Sequence, residues 1–161
     1  MIRCSNCHDG TMVPGHVEDH DIGPLFGLDG VILTRAPALV CDRCGHVMLE
    51  GHVVEAARQG LARLLVERSV ELRPTEARFL RETMNLTQAQ LAERLHVIRG
   101  TITRWENSDE LLGPVQSFAL RVLTAWVLSD GEKLAREIGM PAASPAPVPP
   151  APPYRIDALA A

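Results

Sequence analysis

Two closely spaced cysteine pairs constrain the fold of this chain more than any other feature of its sequence. Two residues separate Cys4 from Cys7, Cys41 and Cys44 repeat that spacing, and 33 residues separate the pairs. Two intervening residues let both sulfurs of a pair face one point, and two such pairs supply four thiolates for a tetrahedral ion. The pattern predicts one structural Zn²⁺ per chain, bound by Cys4, Cys7, Cys41 and Cys44.

The residues around these cysteines, 1–50, form a segment called here the head, and they need such an ion in order to fold. Phe26 is the only aromatic residue among them, and a unit this small rarely buries enough apolar surface by itself. A structural zinc ion supplies an apparent ~10–16 kcal/mol that is coupled to folding. Residues 11–17 and 31–40 are rich in β-formers interrupted by Pro and Gly, which predicts short strands in a ribbon-like hairpin. Asn6 and Gly45 suit the tight turns of the two pairs.

Redox or catalytic chemistry is a less suitable interpretation of the cysteines and histidines of the head. A Cys-x2-Cys pair can be a thiol-disulfide redox site, but such sites lie at a helix N-terminus in a βαβ setting that is not visible here. A catalytic zinc needs an open coordination position, which four cysteines do not leave. No Ser/His/Asp set, phosphate loop or paired acid motif is present, so an enzyme is not predicted. We expect these histidines to be surface or partly packed residues and not ligands of a second metal ion: His8, His16, His20, His46 and His52.

Charge and hydropathy restrict the partners and the compartment. The net charge of −4 excludes a generally basic nucleic-acid coat but not a local basic surface. No run of ~18 apolar residues predicts a membrane span, and no secretory pattern follows Met1. We therefore expect a cytoplasmic protein with no membrane partner.

Composition divides the chain into three segments. Residues 1–69 are predicted to be a Cys4 zinc-binding domain that ends in an amphipathic connecting helix over 51–68. Residues 70–139 are predicted to be a helix-turn-helix domain, and the Pro/Ala-rich residues 140–161 a disordered tail. The expected fold class is α+β, with a small zinc ribbon followed by a mainly α-helical domain.

The helix-turn-helix prediction comes from the segment between Leu86 and Glu106. Thr87 suits a helix N-cap, and Gln90 three residues later completes a capping box. A turn at residues 96–97 separates this helix from a second one over 98–107, and an earlier helix starts at Pro74. The second helix is expected to bury Ile102 and Trp105, and the apolar residues of the two preceding helices are Ala77, Leu80, Met84, Ala89, Leu91, Ala92 and Leu95.

This segment resembles the Xre/lambda-repressor-like helix-turn-helix, whose usual form is LTQ-x-x-LA-x-x-(hydrophobic)-GVS-x-x-x-IS-x-WE. The sequence departs from that form at three positions. His96 replaces the turn glycine, and His visits left-handed backbone more readily than most residues. Ile98 replaces the usual Ser cap, which removes a capping hydrogen bond worth ~1 kcal/mol. Gly100 lies inside the second helix, where it removes a side chain from a position that often reads bases.

The resemblance implies DNA binding by the second helix of this motif. Base contacts are expected from Arg99, Thr101 and Arg104, because Arg suits guanine O6/N7 and the Thr methyl suits thymine. Gly100 lies on the same face, and Gln88 at the start of the preceding helix is expected to meet phosphate. The alternative for each arginine is a solvated surface charge.

A third feature is the apolar helix predicted over residues 114–128. Its apolar side chains cover nearly all faces, so it must be buried on all sides. A second copy of the chain would provide part of that cover, and a homodimer also suits the two half-sites of a palindromic operator. The alternative is a fully internal helix in a monomer.

The order of these parts resembles the MqsA/YgiT-type antitoxin family, as does the segment 37–45 around the second cysteine pair. The resemblance implies that the head binds an mRNA-interferase-type toxin while the helix-turn-helix represses the operon of the protein itself. An acidic head fits a basic partner, since complementary charge speeds association. The alternative is a stand-alone zinc-ribbon regulator without a toxin.

The last prediction concerns a degradation signal at the C-terminal residues. Leu159, Ala160 and Ala161, after Ala158, resemble the end of the bacterial tmRNA tag, which the ClpXP protease recognises. The resemblance implies a degradation signal, presented beyond a Pro-rich stretch. Simple alanine bias is the alternative.

Overall fold

Short antiparallel strands occupy the head in the computed structural model, which describes residues 1–129. A four-stranded sheet has the order β1-β2-β5-β6, and β3 and β4 form a separate pair. The longest pairing joins β2 to β5, from Met12 opposite Cys41 to Val17 opposite Ala36. This is the predicted ribbon hairpin. The elements are β1 (Ile2–Arg3), β2 (Thr11–Val17), β3 (His20–Asp21), α1 (Gly23–Phe26), β4 (Ile32–Leu33), β5 (Ala36–Cys41) and β6 (Val47–Met48).

Helices follow the head, so the α+β class is confirmed. The connecting helix extends from Gly51 to Glu67 and is the longest helix of the described chain. Proline occupies the first turn of the third and sixth helices, where its missing N–H costs nothing. The helices are α2 (Gly51–Glu67), α3 (Pro74–Thr83), α4 (Gln88–Arg94), α5 (Arg99–Asn107) and α6 (Pro114–Leu128).

The helix α2 joins the head to the helical part by contacting both. Near its start, Val53 is buried against Val17, Ala36 and Ala38 of the sheet. Further along, Ala62 and other apolar residues of α2 enter the main core, and α2 packs against α3 and α6. The apolar residues of α2 therefore pack against the sheet near its start and against the main core further along.

The main core contains side chains from both sides of residue 69. Phe26 of α1 lies against Phe79 of α3, with ring centroids 5.4 Å apart. The guanidinium of Arg58 covers the Phe26 ring at 5.1 Å from its centroid. The predicted domain boundary thus falls in the loop between α2 and α3, while the apolar packing continues across it. The buried members of this core are Ile22, Phe26, Leu28, Ala62, Leu65, Leu72, Ala77, Phe79, Leu80, Met84, Leu86, Leu91, Ala92, Ile102, Leu112 and Leu120.

One face of α6 is not covered within a single chain. Leu120 is fully buried, but Val115 is 76% exposed, Phe118 67% and Val122 51%. The helices α2 and α3 pack against α6, and its buried residues are Ser117, Leu120 and Thr124. The expectation of a fully internal helix is therefore wrong for the isolated chain.

Two predictions concern residues beyond this description. Residues 130–139 of the predicted DNA-binding domain and the tail 140–161, with Leu159, Ala160 and Ala161, lie outside the described residues. Within residues 1–129, no helix is both long enough and apolar enough to span a membrane.

Candidate metal centre and nucleic-acid interface

The four cysteines meet at one end of the ribbon. Cys4 Sγ lies 3.7 Å from Cys44 Sγ, and Cys7 Sγ lies 3.7 Å from Cys41 Sγ. All four sulfurs lie within 4.8 Å of one another, and no disulfide joins these residues. A tetrahedral zinc with Zn–S bonds of about 2.3 Å requires sulfurs about 3.8 Å apart. The spacing between the pairs fits such an ion, and the four thiols form a site for one metal.

The two cysteine pairs have the same backbone geometry. His8 N donates to Cys4 O at 3.1 Å, and Gly45 N donates to Cys41 O at 3.1 Å. The residue after each second cysteine has left-handed backbone, with φ of 61° at His8 and 70° at Gly45. Gly45 was predicted for this role, but His8 fills it in the first pair instead of Asn6. The side chain of Asn6 instead donates from Nδ2 to Cys44 Sγ at 3.7 Å.

Backbone donors and a glycine complete the surroundings of Cys41. Its Sγ accepts from Arg43 N at 3.4 Å and from Cys44 N at 3.5 Å, so two backbone donors orient this sulfur. A Cβ atom at Gly10 would lie 2.4 Å from Cys41 Sγ. Only glycine fits beside the sulfur, although the sequence gives no signal for this requirement.

The helix-turn-helix is assembled from α3, α4 and α5. At the start of α4, Thr87 Oγ1 accepts from Gln90 N at 3.2 Å, and Gln90 Oε1 accepts from Thr87 N at 2.9 Å. The predicted capping box is therefore present. His96 has φ of 52° in the turn, so histidine does adopt the left-handed backbone that glycine usually supplies.

The predicted base-reading residues fall within the first six residues of α5. Arg99, Gly100 and Arg104 are exposed, and Thr101 is half-buried. Gly100 and Arg104 share a face because they are four residues apart. Ile102 is fully buried on the opposite side, and Trp105 is half-buried against the core. The helix thus presents two arginines to solvent and fixes its position through its apolar face.

A buried ion pair connects α3 to the end of α5. Arg81 Nε lies 2.6 Å from Glu106 Oε1, and Nη2 lies 3.0 Å from Oε2. The hydrogen bonds to this carboxylate raise the pKa of Arg81 against the lowering effect of burial. Arg81 Nη1 also donates to Leu86 O at 2.9 Å. Sequence reasoning missed this pair, because its two residues are 25 positions apart and no local pattern links them.

Gln88 belongs to the same cluster. Its Nε2 donates to Glu106 Oε2 at 2.9 Å, and its Oε1 accepts from Thr103 Oγ1 at 3.1 Å. The side chain thereby holds the start of α4 against the middle and end of α5. Gln88 lies near the base-reading residues in the fold, but its amide is engaged within the protein, and its contact with phosphate stays a prediction.

A comparison with protein families agrees with this geometry. The family model described as helix-turn-helix matches residues 78–111, which begin within α3 and continue past α5. A search of the curated proteins gives no match to the chain. The match supports a DNA-binding transcriptional regulator that also carries a four-cysteine cluster able to hold a metal ion.

Proposed function

We propose that this protein is a zinc-stabilised autorepressor and the antitoxin of a type II toxin–antitoxin system. The observation that carries the proposal is the union, in one chain, of a four-thiol metal centre and a helix-turn-helix. A metal ion bound by the four thiols stabilises the fold of the head, and the exposed arginines of α5 bind DNA. Zn²⁺ is the ion that a closed set of four cysteines suits best, and it acts structurally because no coordination position stays open. Such a regulator works in the cytoplasm, where its operator is.

DNA recognition is assigned to the outer side of α5. Arg99 and Arg104 are free to approach guanine edges in the major groove, and Thr101 lies beside them. The bidentate contact of Arg81 with Glu106 holds α5 against α3, so the reading helix is positioned by a rigid support.

Dimerisation is assigned to the apolar face of α6. Val115, Phe118 and Val122 recur every three or four residues along the helix and are exposed, which matches the spacing of a helix–helix seam. A groove on this face is lined by Leu95, Phe118, Ala119, Val122, Leu123 and Trp126. A second copy of the chain would cover these apolar side chains and place two α5 helices on the half-sites of a palindromic operator.

Toxin binding is assigned to the head. Residues 1–50 contain three arginines and seven acidic residues, and this excess of negative charge fits a basic ribonuclease. A stand-alone zinc-ribbon regulator is the second candidate, because the family match supports DNA binding without reference to any toxin. Proteolysis through Leu159, Ala160 and Ala161 would give the antitoxin the instability that release of a toxin requires.

DNA binding is tested by selecting sites from random duplexes with the purified full chain. The proposal expects an enriched palindrome that also occurs upstream of the gene, bound by two chains. Enrichment of no sequence would contradict the repressor. Arg99→Ala should weaken operator binding by about 1–3 kcal/mol and relax the preference at the base pair that Arg99 reads.

The antitoxin assignment needs a separate experiment. The product of the adjacent reading frame is expressed alone and together with this protein. Growth arrest by that product alone, rescue by this protein and co-purification of the two are the expected results. Absence of toxicity and of a complex would favour the stand-alone regulator.

A further inference from the structure

An exposed isoleucine begins the reading helix. Ile98 is the N-cap residue of α5, and its side chain accepts no capping hydrogen bond. It is 75% exposed, in contrast to Ile102 one turn later, which is fully buried. A branched apolar side chain at a polar capping position loses the cap and gains no burial within the chain.

Gly100 leaves space beside this isoleucine. Apart from the backbone of its own helix and its chain neighbours, a Cβ atom at Gly100 would approach one atom, Ile98 Cδ1, at 3.9 Å. Gly100 is exposed and has no side chain, so the Ile98 side chain borders unoccupied space on the surface of α5. Arg99, the next residue in the chain, is exposed, and so is Arg104 further along α5.

We propose that Ile98 and Gly100 form an apolar notch that receives the 5-methyl group of a thymine in the major groove. This inference rests on the proposed DNA binding and adds a specificity-determining residue to it. The thymine methyl is the apolar group that base pairs present in that groove. Glycine lets the base edge approach the helix backbone, and Ile98 provides the apolar wall. The two arginines then read guanine on either side.

The chemistry of the surroundings favours a base over another protein surface. The apolar groove on α6 is lined by Leu95 and five residues of α6, and Ile98 is not among them. Ile98 instead adjoins the exposed, cationic Arg99 in the chain, and such a neighbour suits a nucleic acid and disfavours a dry apolar interface. A dimer contact by Ile98 is therefore an outcome that the experiment has to distinguish.

The test removes single methyl groups from the selected operator. Each thymine is replaced by deoxyuridine, which keeps every hydrogen-bonding group and deletes only the methyl. One thymine in each half-site should show about fourfold weaker binding on replacement, the value for one buried methyl-sized group. Ile98→Ala should bind the two operators with equal affinity. Gly100→Leu, which fills the notch, should lose the same preference while keeping the helix.

A matched control is the exposed isoleucine on β4, far from α5 in sequence. Ile32 is 50% exposed, and Ile32→Ala should keep the fourfold preference for thymine. Equal affinity of the unaltered protein for thymine and uracil at every position overturns the notch and leaves the proposed function intact. A preference that persists in Ile98→Ala, or a change of oligomeric state in that variant, also overturns it. Absence of any DNA binding overturns the proposed function itself.

Discussion

Arg81 and Glu106 form a two-point ion pair in the interior of the helical part, with N–O distances of 2.6 and 3.0 Å. The carboxylate of Glu106 is 1% exposed and the side chain of Arg81 is 12% exposed. Gln88 donates a third hydrogen bond to the same carboxylate. Three helices of the motif thus meet at one buried charge.

Removal of that charge should destabilise the fold. Glu106→Gln removes the buried counter-ion of Arg81 and leaves it only the exposed Glu82 carboxylate, 3.4 Å from Nη2; breaking a buried pair costs about 3–5 kcal/mol. Urea unfolding followed by circular dichroism measures the loss. Glu110→Gln, at an exposed position, serves as the control and should change stability by less than about 0.5 kcal/mol. Because its raised pKa lies beyond working pH, Arg81 itself adds no pH dependence near neutrality.

Arg104 should contribute both affinity and specificity. Arg104→Ala is expected to weaken operator binding by about 1–3 kcal/mol and to relax the preference at one base pair. Fluorescence anisotropy with the selected operator and its single-base variants measures both effects. The control is Arg63→Ala, at an exposed position of α2, and this variant should bind DNA like the unaltered protein. An unchanged affinity in Arg104→Ala would mean that this face of α5 does not enter the groove.

Gly10 should be essential for metal binding. A Cβ atom at this position would lie 2.4 Å from Cys41 Sγ, so Gly10→Ala displaces one of the four sulfurs. Metal analysis of the purified variant should show less than one zinc per chain, together with a lower Tm. Gly51→Ala places its Cβ in open space and should keep full zinc content. Retention of zinc by Gly10→Ala would show that the ribbon tolerates a shift at this point.

The apolar seam on α6 should determine the oligomeric state. Phe118→Glu places a charge on a side chain that is 67% exposed in one chain, so the monomer fold should persist. A second copy could no longer cover that face without burying an unpaired carboxylate. Sedimentation equilibrium should change from dimer to monomer, whereas Leu25→Glu, exposed on α1, should leave it unchanged. A monomer in the unaltered protein would contradict the seam.

Phe26 should stabilise the helices that follow the head. Phe26→Ala opens a cavity beside Phe79, and a large-to-alanine change in a core costs about 3–5 kcal/mol. Hydrogen exchange should accelerate in α3, not only in the head. Leu25→Ala is the matched control because its side chain is exposed. An effect confined to residues before α2 would argue against a shared core.

The sequence could predict the features that depend on neighbours along the chain. The two cysteine pairs, the Thr87–Gln90 capping box and the left-handed turn at His96 are local, and each is present in the structure. The Arg81–Glu106 pair and the Phe26–Phe79 contact were missed because each joins distant positions through tertiary packing. The alternative of a fully internal α6 failed for a related reason: apolar composition shows that a helix needs cover but does not show which part of the molecule provides it.

Phe26 and Phe79 also set an order of events during synthesis. The head leaves the ribosome first, and the ring that receives Phe26 follows 53 residues later. At ~5–20 residues per second, that delay is roughly 3–10 s. Cys44 follows Phe26 by 18 residues, so in the later part of this interval the four cysteines can bind a metal ion while the apolar side of α1 still lacks its cover. The nascent chain therefore passes through a stage with a complete metal centre and an incomplete core.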